Sequence, residues 1–284
     1  FSEIDLVIVN FYPFEKTLKK TKSEDKIIEK IDIGGPSLVR AAAKNFKYVT
    51  VISSANDYIK LYDELKNNSG FTSYEFRKKM CLRAFEETSY YDSKVSNYFS
   101  KAKKSEFSNK MTISGKKIED FRYGENPHQK GAIYSTDLSE NQVNQLSGKK
   151  LSFNNYNDLY SALYISKSFP KNLGTVIIKH GNPSGVSINK NKLKSFKLAL
   201  DCDPVSAYGG IISCNFKITK TVATHIKKRF FEIIIGNGFE RNALQILKKK
   251  KNLRIIDSSK INFRNEKQII SKGNSFLIQT PDDK

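Results

Sequence analysis

Thr175-Val176-Ile177-Ile178-Lys179-His180-Gly181-Asn182-Pro183-Ser184-Gly185 decides how the second half of this chain reads. Four β-branched residues in a row make a short buried strand, and the strand delivers Lys179 and His180 into a loop of Gly, Asn and Pro. The same pattern recurs downstream. Asp203-Pro204-Val205-Ser206-Ala207-Tyr208-Gly209-Gly210 is a loop that leads into an apolar strand from Ile211 to Ser213, and Ile233 to Ile235 is a further apolar strand. Upstream, Phe121-Arg122-Tyr123-Gly124-Glu125-Asn126-Pro127-His128-Gln129 also reads as a loop. The unusual residues thus collect at strand ends, where open α/β sheets bind ligands.

The first half has the same alternation. Ile4 to Val9 reads as a buried strand ending at Asn10-Phe11-Tyr12-Pro13, and a polar, lysine-rich segment follows to about Glu29. Ile31-Asp32-Ile33-Gly34-Gly35-Pro36-Ser37 reads as a turn, with Pro36 in the first turn of a helix through Leu38 to Asn45. Tyr48 to Ile52 is strand-like, Ser54 or Asn56 caps a helix from Tyr58 to Leu65, and Phe76 to Phe99 has helical spacing. Strand alternating with helix predicts an α/β domain with a parallel sheet. The Lys-, Ser- and Asn-rich stretch from Ser100 to Glu119 predicts a boundary, giving domains over 1–110 and 111–284.

Composition excludes several classes. With 38% hydrophobic residues the 284-residue chain can build cores, and it has no apolar run approaching the ~18–20 residues of a membrane helix. Its 49 Lys and Arg against 29 Asp and Glu give +20, which invites a nucleic-acid reading. The lysines are spread along the chain, however, and abundant Lys, Asn and Ile are the products of A- and T-rich codons. Lys248 to Lys251 sit at the end of an amphipathic helix, where cations complement the helix dipole. Three unpaired cysteines, Cys81, Cys202 and Cys214, argue against a disulfide scaffold and a zinc site and suit a cytoplasmic protein. A chain that opens Phe1-Ser2-Glu3 without Met is expected of a fragment or a processed product. Walker, G-x-G-x-x-G, Cys-x-x-Cys and H-E-x-x-H motifs are absent from the sequence.

Lys179-His180 carries the strongest chemical signal. Histidine is the usual general base near neutral pH, a neighbouring lysine can hold developing negative charge, and Gly181 and Gly185 would let a ligand approach the backbone. Spacing alone leaves the pair balanced between a reactive dyad and a surface Lys-His pair before a turn. Arg122 offers a planar fork of donors for a phosphate or carboxamide; alone, it reads as a surface arginine on a structural loop. Asp32 and Lys44 flank a helix whose N-terminus could take an anion. On spacing alone they read as a capping residue and a surface lysine.

The order of these stretches resembles a known family. Arg122 to Gln129, Lys179 to Gly185 and Asp203 to Gly210, together with Asn10-Phe11-Tyr12-Pro13-Phe14 and Ile31-Asp32-Ile33-Gly34-Gly35 through Ala41-Ala42-Ala43-Lys44-Asn45, are similar to the bifunctional purine biosynthesis enzymes, the AICAR transformylase/IMP cyclohydrolases. The resemblance implies formyl transfer from 10-formyltetrahydrofolate, a co-substrate, to AICAR, and closure of the product FAICAR to IMP, with no metal required. It implies a partial methylglyoxal-synthase-like α/β domain over 1–110 followed by a partial cytidine-deaminase-like transformylase domain over 111–284. It implies a homodimer that acts on small molecules and needs neither nucleic acid nor membrane.

Carried over by the resemblance, His180 is the general base for the AICAR amine and Lys179 stabilises the charge of transfer. Arg122 and Tyr123 bind the nucleotide, Gly209 lines the site and Glu232 matches an acidic substrate-binding position. In the first half Lys44 handles protons during ring closure, Asp32 and Tyr12 orient the intermediate, and Asn10 contacts the nucleotide. The sequence lacks the family's Ser-Asp-Lys-Thr and Thr-Gly-Gly-Thr segments and its Lys/Gln-Ser-Asn motif, so this polypeptide alone is expected to have little activity. Ser184 and Tyr208 are mild departures. Two alternatives stand beside this reading: a family member with one live activity, and a basic nucleic-acid-binding protein.

Overall fold

The computed structural model describes residues 3–102, 107–136, 143–261 and 267–281, and divides into two units, Phe1–Gly115 and Lys116–Lys284. In the first unit, β1 (Leu6–Ile8) precedes α1 (Phe14–Lys20), α2 (Glu24–Ile28) and α3 (Gly34–Lys44). Then come β2 (Thr50–Ile52), a 3-10 turn over Ala55–Asp57, α4 (Tyr58–Asn67) and the long α5 (Tyr74–Ala102).

β1 and β2 pair in parallel, Leu6 opposite Thr50 and Ile8 opposite Ile52. Their core is built with α3 and α5: Val39, Ala42 and Ala43 pack with Val51, Ile52, Met80 and Ala84. Three sequence expectations need correction here. β1 is not buried, because Leu6 and Ile8 are 37% and 46% exposed and only the intervening Val7 packs on the core. The lysine-rich segment folds into α1 and α2, since Phe14 and Ile27 bury against Tyr91 and hold those short helices down. Gly34 and Gly35 do not form a turn ahead of α3 but are its first two residues. Ser54 caps the 3-10 turn, accepting from the Asn56 amide at 3.3 Å, and not α4 itself.

The second unit opens with a hairpin, β3 (Lys116–Phe121) and β4 (Gly131–Ser135). The remaining elements are β5 (Asn144–Ser147), α6 (Phe153–Ser168), β6 (Gly174–Lys179), β7 (Asn182–Ile188), α7 (Lys192–Cys202), β8 (Ile211–Cys214), α8 (Lys220–Lys227), β9 (Ile233–Gly236), α9 (Arg241–Lys248) and β10 (Arg254–Asp257). A second hairpin, β11 (Gln268–Lys272) with β12 (Ser275–Gln279), closes the described chain.

The central sheet has the order β5-β10-β9-β8-β6-β7. It is mixed: β8, β9 and β10 run parallel, and β6, β7 and β5 are added antiparallel. Helix follows strand in β8-α8-β9-α9-β10, the alternation that makes a parallel core. Successive residues of each strand serve opposite faces. Ile177, Ile212, Ile234 and Ile255 meet α7, α8 and α9 on one face. Val176, Ile178, Ile211, Ile233, Ile235 and Ile256 meet Leu159, Ala162 and Leu163 of α6 on the other. With both faces covered, the central strands read as unbroken apolar runs. Each such side chain contributes about 1.5–3 kcal/mol when fully buried.

Candidate functional site

β6 and β7 are joined by a two-residue turn. Lys179 pairs with Asn182, and His180 and Gly181 between them have φ of +54° and +76°. Two positive φ values in a two-residue loop are the type I′ signature, which matches the twist of the flanking strands. This corrects the loop reading of Lys179 to Gly185: Asn182 to Gly185 is strand, and His180 stands at a hairpin tip. Positive φ costs a residue with a Cβ about 1–2 kcal/mol, so His180 is held there by its surroundings.

Two side chains fix the turn. The Asp158 carboxylate on α6 accepts the Gly181 amide at 2.6 Å, and Asn182 Nδ2 donates to the His180 carbonyl at 3.1 Å. Beside it, Lys179 Nζ donates to the Tyr208 carbonyl at 2.9 Å, tying the strand end to the loop before β8. That loop is built by Asp203, whose Oδ1 accepts the amides of Ser206 (2.9 Å) and Val205 (3.2 Å) and whose carboxyl those bonds hold below its ordinary value. Gly209, with φ +74°, donates its amide to the Phe230 carbonyl at 3.0 Å. His180 is exposed and Lys179 half-buried.

Register places further groups along the same end of the sheet. Ile178 lies opposite Ile211, Ile211 opposite Ile233, and Ile233 opposite Arg254. Glu232 therefore stands two strands from Lys179, roughly 10 Å at the usual strand spacing. Its Oε2 accepts from Asn155 Nδ2 at 3.1 Å and faces Arg254 at 3.8 Å. Burial lowers the Arg254 guanidinium from its usual value and Glu232 opposes that shift. Because β6 runs against β8 to β10, this rim joins the C-terminal end of one strand to the N-terminal ends of three. Those three strands therefore depart from the usual rule that ligands sit at carboxyl ends.

Arg122 and Tyr123 lie on the β3–β4 loop, which α6 also holds. Phe121 packs edge-on against Phe153, and Asn154 Nδ2 donates to the Glu125 carbonyl at 3.1 Å. Tyr156 leans on Phe121, and burial, with Glu119 and Tyr160 adding, pushes its phenol up to about 12. One turn and a half of α6 thus touches the Arg122 loop through Asn154, Glu232 through Asn155 and the hairpin tip through Asp158. The structure gathers Lys179, His180, Gly209 and Glu232 on one rim and attaches the Arg122-Tyr123 loop to the same helix.

Sequence reading missed Asn155, Asp158 and Arg254. The signal was Ser152-x-x-Asn155, a reciprocal capping box with both bonds at 3.2 Å, followed by Leu159, Ala162, Leu163 and Ser166 at helical spacing. Gly185 also has a different role from the one expected. A Cβ there would stand 1.8 Å from the Ala199 carbonyl, so the glycine admits α7 rather than a ligand.

In the first unit the candidates separate. Asp32 spends both carboxylate oxygens on backbone, accepting Gly35 N at 2.7 Å and Tyr12 N at 3.1 Å, while its own amide donates to the Tyr91 hydroxyl at 2.6 Å. The Lys30 ammonium stands 5.6 Å from the Tyr12 ring, and Asn10 Nδ2 donates to the Tyr58 hydroxyl. Lys44 is at the other end of α3, about 15 Å along the helix from Gly34. It shares a shallow apolar depression with Arg40, Phe46, Cys81 and Phe85. Tyr12 and Asp32 are brought together; Asp32 and Lys44 are not.

Among the described residues there is no group of three or more His, Cys, Asp and Glu side chains able to hold a metal, and no helix long and apolar enough to cross a membrane. His128 is exposed, and the half-buried His225 has Nδ1 3.0 Å from the Thr221 carbonyl of its own helix.

Fold and rim together define an α/β protein whose ionisable and glycine-bearing turns converge on one end of a mixed sheet. The chain belongs to the AICARFT/IMPCHase bienzyme family, whose model matches residues 42–284. It is 41% identical to the bifunctional purine biosynthesis protein PurH of Thermoanaerobacter sp. (strain X514), covering 99% of this chain and 55% of that protein. It is 45% identical to PurH of Caldicellulosiruptor bescii, covering 89% of this chain and 50% of that one. The chain spans about half the length of the curated relatives it matches. Among solved chains, the crystal structure of ForH is 32% identical over 34% of this chain and 51% of that chain, with a TM-score of 0.30, too low to argue from.

Proposed function

We propose that the chain is part of a bifunctional enzyme of purine biosynthesis. Its second unit carries the AICAR-binding and proton-handling side of the transformylase, and its first unit carries part of the cyclohydrolase. The observation that carries the reading is the hairpin tip, which presents His180 to solvent beside Lys179 and on the same rim as Gly209 and Glu232. In this reading the second unit is a cytidine-deaminase-like domain and the first a methylglyoxal-synthase-like one.

The chemistry follows from these groups. The amine of AICAR attacks the formyl carbon of 10-formyltetrahydrofolate, forming a C–N bond, and the bond from that carbon to N10 breaks. His180 takes the proton released by the amine, and the folate nitrogen ends protonated. A delocalised amine is a weak nucleophile, and a positioned base is worth typically 10²–10⁴-fold to such a step. Lys179 supplies positive charge where the formyl oxygen becomes anionic. Arg122 and Tyr123 hold the nucleotide, and Glu232 its carboxamide side. In the first unit Lys44 moves protons in the ring closure of FAICAR, with Tyr12, Asp32 and Asn10 around the nucleotide. The separation of Asp32 from Lys44 along α3 makes Asp32 an architect of the Tyr12 turn rather than the partner of Lys44. The active form is a cytoplasmic homodimer working on small molecules, with no metal.

Two assays on the intact protein, one with AICAR and 10-formyltetrahydrofolate and one with FAICAR alone, test this. His180→Ala and Lys179→Ala are each expected to lower formyl transfer at least about 100-fold while leaving cyclisation unchanged. Unchanged formyl transfer in both variants overturns the assignment.

A further inference from the structure

Among the described residues the half-buried Asp158 carboxylate pairs with no cation. Its one described bond is to the Gly181 amide, at 2.6 Å, in the middle of the turn that bears His180. Charge-assisted bonds of this kind are short and about twice as strong as neutral ones. The turn needs such a bond, because His180 has positive φ and is exposed. Asp158 is set on rigid structure. It follows the capped start of α6, and its neighbour Leu159 is fully buried against the sheet. On the far side, Asn182 closes on the His180 carbonyl. Loss of one clamp leaves an imidazole on a two-residue turn that relaxes toward negative φ.

We propose that Asp158 is a positioning residue for the transformylase: by accepting the Gly181 amide it holds the hairpin tip in the conformation that aims His180 at the AICAR amine. This inference rests on the assignment of His180 above. A misplacement of about 1 Å costs a positioned group on the order of 100-fold in rate, so the clamp is a kinetic device and not a substrate contact.

The test compares Asp158→Ala with Asp158→Asn in the intact protein. Asparagine keeps an acceptor oxygen and loses the charge; alanine loses the acceptor. A positioning role predicts a fall in kcat of about 100-fold for Asp158→Ala and only about fivefold for Asp158→Asn, with KM for AICAR within about threefold of wild type in both. The Gly181 amide proton, followed by NMR, is expected to move upfield and exchange faster in the order wild type, Asn, Ala. Equal losses in the two variants would mean that the charge acts directly on the chemistry, and the proposal fails. Wild-type kcat with a displaced Gly181 resonance also overturns it. If Asp158→Ala does not fold, Asp158→Asn still decides, because kcat must fall together with the amide shift. His180→Ala is the separate control: if it is fully active, the reading of His180 has failed, and if it is inactive while Asp158→Ala is unimpaired, only the role of Asp158 has.

Discussion

Gly185→Ala is expected to destabilise the second unit more than any other single methyl group added to a strand glycine of this sheet. A Cβ at Gly185 would stand 1.8 Å from the Ala199 carbonyl oxygen, 2.9 Å from its carbon and 3.2 Å from Cys202 Cβ. Ordinary contact starts at 3.4 Å, so α7 would have to retreat by roughly 1.6 Å from β7. The atom in the way is helix backbone and has no rotamer to move. Retreat opens a gap under Phe196, Ala199 and Leu200, which are all buried against the sheet. A gap of 0.5–1 Å already forfeits a quarter to a half of the dispersion attraction, and overpacking costs about 1–3 kcal/mol or more. Together these give about 3–4 kcal/mol, or a fall in Tm of about 10 °C at the usual 2–4 °C per kcal/mol for a unit of this size.

The measurement is urea unfolding of wild type and variant, with Gly34→Ala as control. Gly34 begins α3, and a Cβ there meets nothing within 4 Å, so alanine should raise stability by about 0.4–1 kcal/mol. A Gly185→Ala unfolding free energy within about 1 kcal/mol of wild type at unchanged m-value would refute the argument. It would mean that β7, at the sheet edge, yields instead of α7.

Other groups give further tests. Burial raises the Asp57 carboxyl, but hydrogen bonds from Arg83 and Lys60 outweigh it and leave the value below the ordinary one. A depressed carboxyl stabilises above its unfolded value near 3.9 and loses that contribution as pH falls through its lower folded value, so the first unit should weaken below about pH 4. Asp57→Asn should flatten that acid limb in a pH series of unfolding curves and cost about 2–4 kcal/mol at pH 7; an unchanged limb contradicts the pairing. Burial pushes the Cys214 thiol up to about 12, whereas Cys202 is exposed. At pH 8 a thiol reagent should therefore modify Cys202 in the native protein and reach Cys214 only on unfolding, with mass spectrometry of the labelled peptides as the check. Ser152→Ala removes one half of the α6 capping box and should cost about 1 kcal/mol; thermal unfolding without a measurable loss would show that the cap is redundant.

The parts of this fold that periodicity made legible are those that a single element determines. Ile233 to Ile235 are apolar without interruption, and Ile211-Ile212 likewise, because helices cover both faces of the sheet there. What stayed hidden depends on two elements meeting. About half of the α1–α2 segment is Lys, Glu and Asp, and its structure is decided by Phe14 and Ile27, which are buried against Tyr91, 77 and 64 residues further along the chain. The β3 strand, Lys-Lys-Ile-Glu-Asp-Phe, carries little strand propensity and is made by its pairing with β4 and by Phe121 docking on α6.

The candidate site divides the same way. Lys179 and His180 were visible because a strand ending in two ionisable residues before glycine is a local pattern. The direction of that strand was not local. Antiparallel placement of β6 beside β8 brings its far end to the starts of β8, β9 and β10, and this alone puts Glu232 on the rim with Lys179. The same placement leaves the turn within reach of α6, whose Asp158 has no signature in the sequence beyond being an acid one residue before a buried leucine. Lys179 and His180 thus stood out from their own neighbours. The residue that sets their geometry became readable only once the sheet order was known.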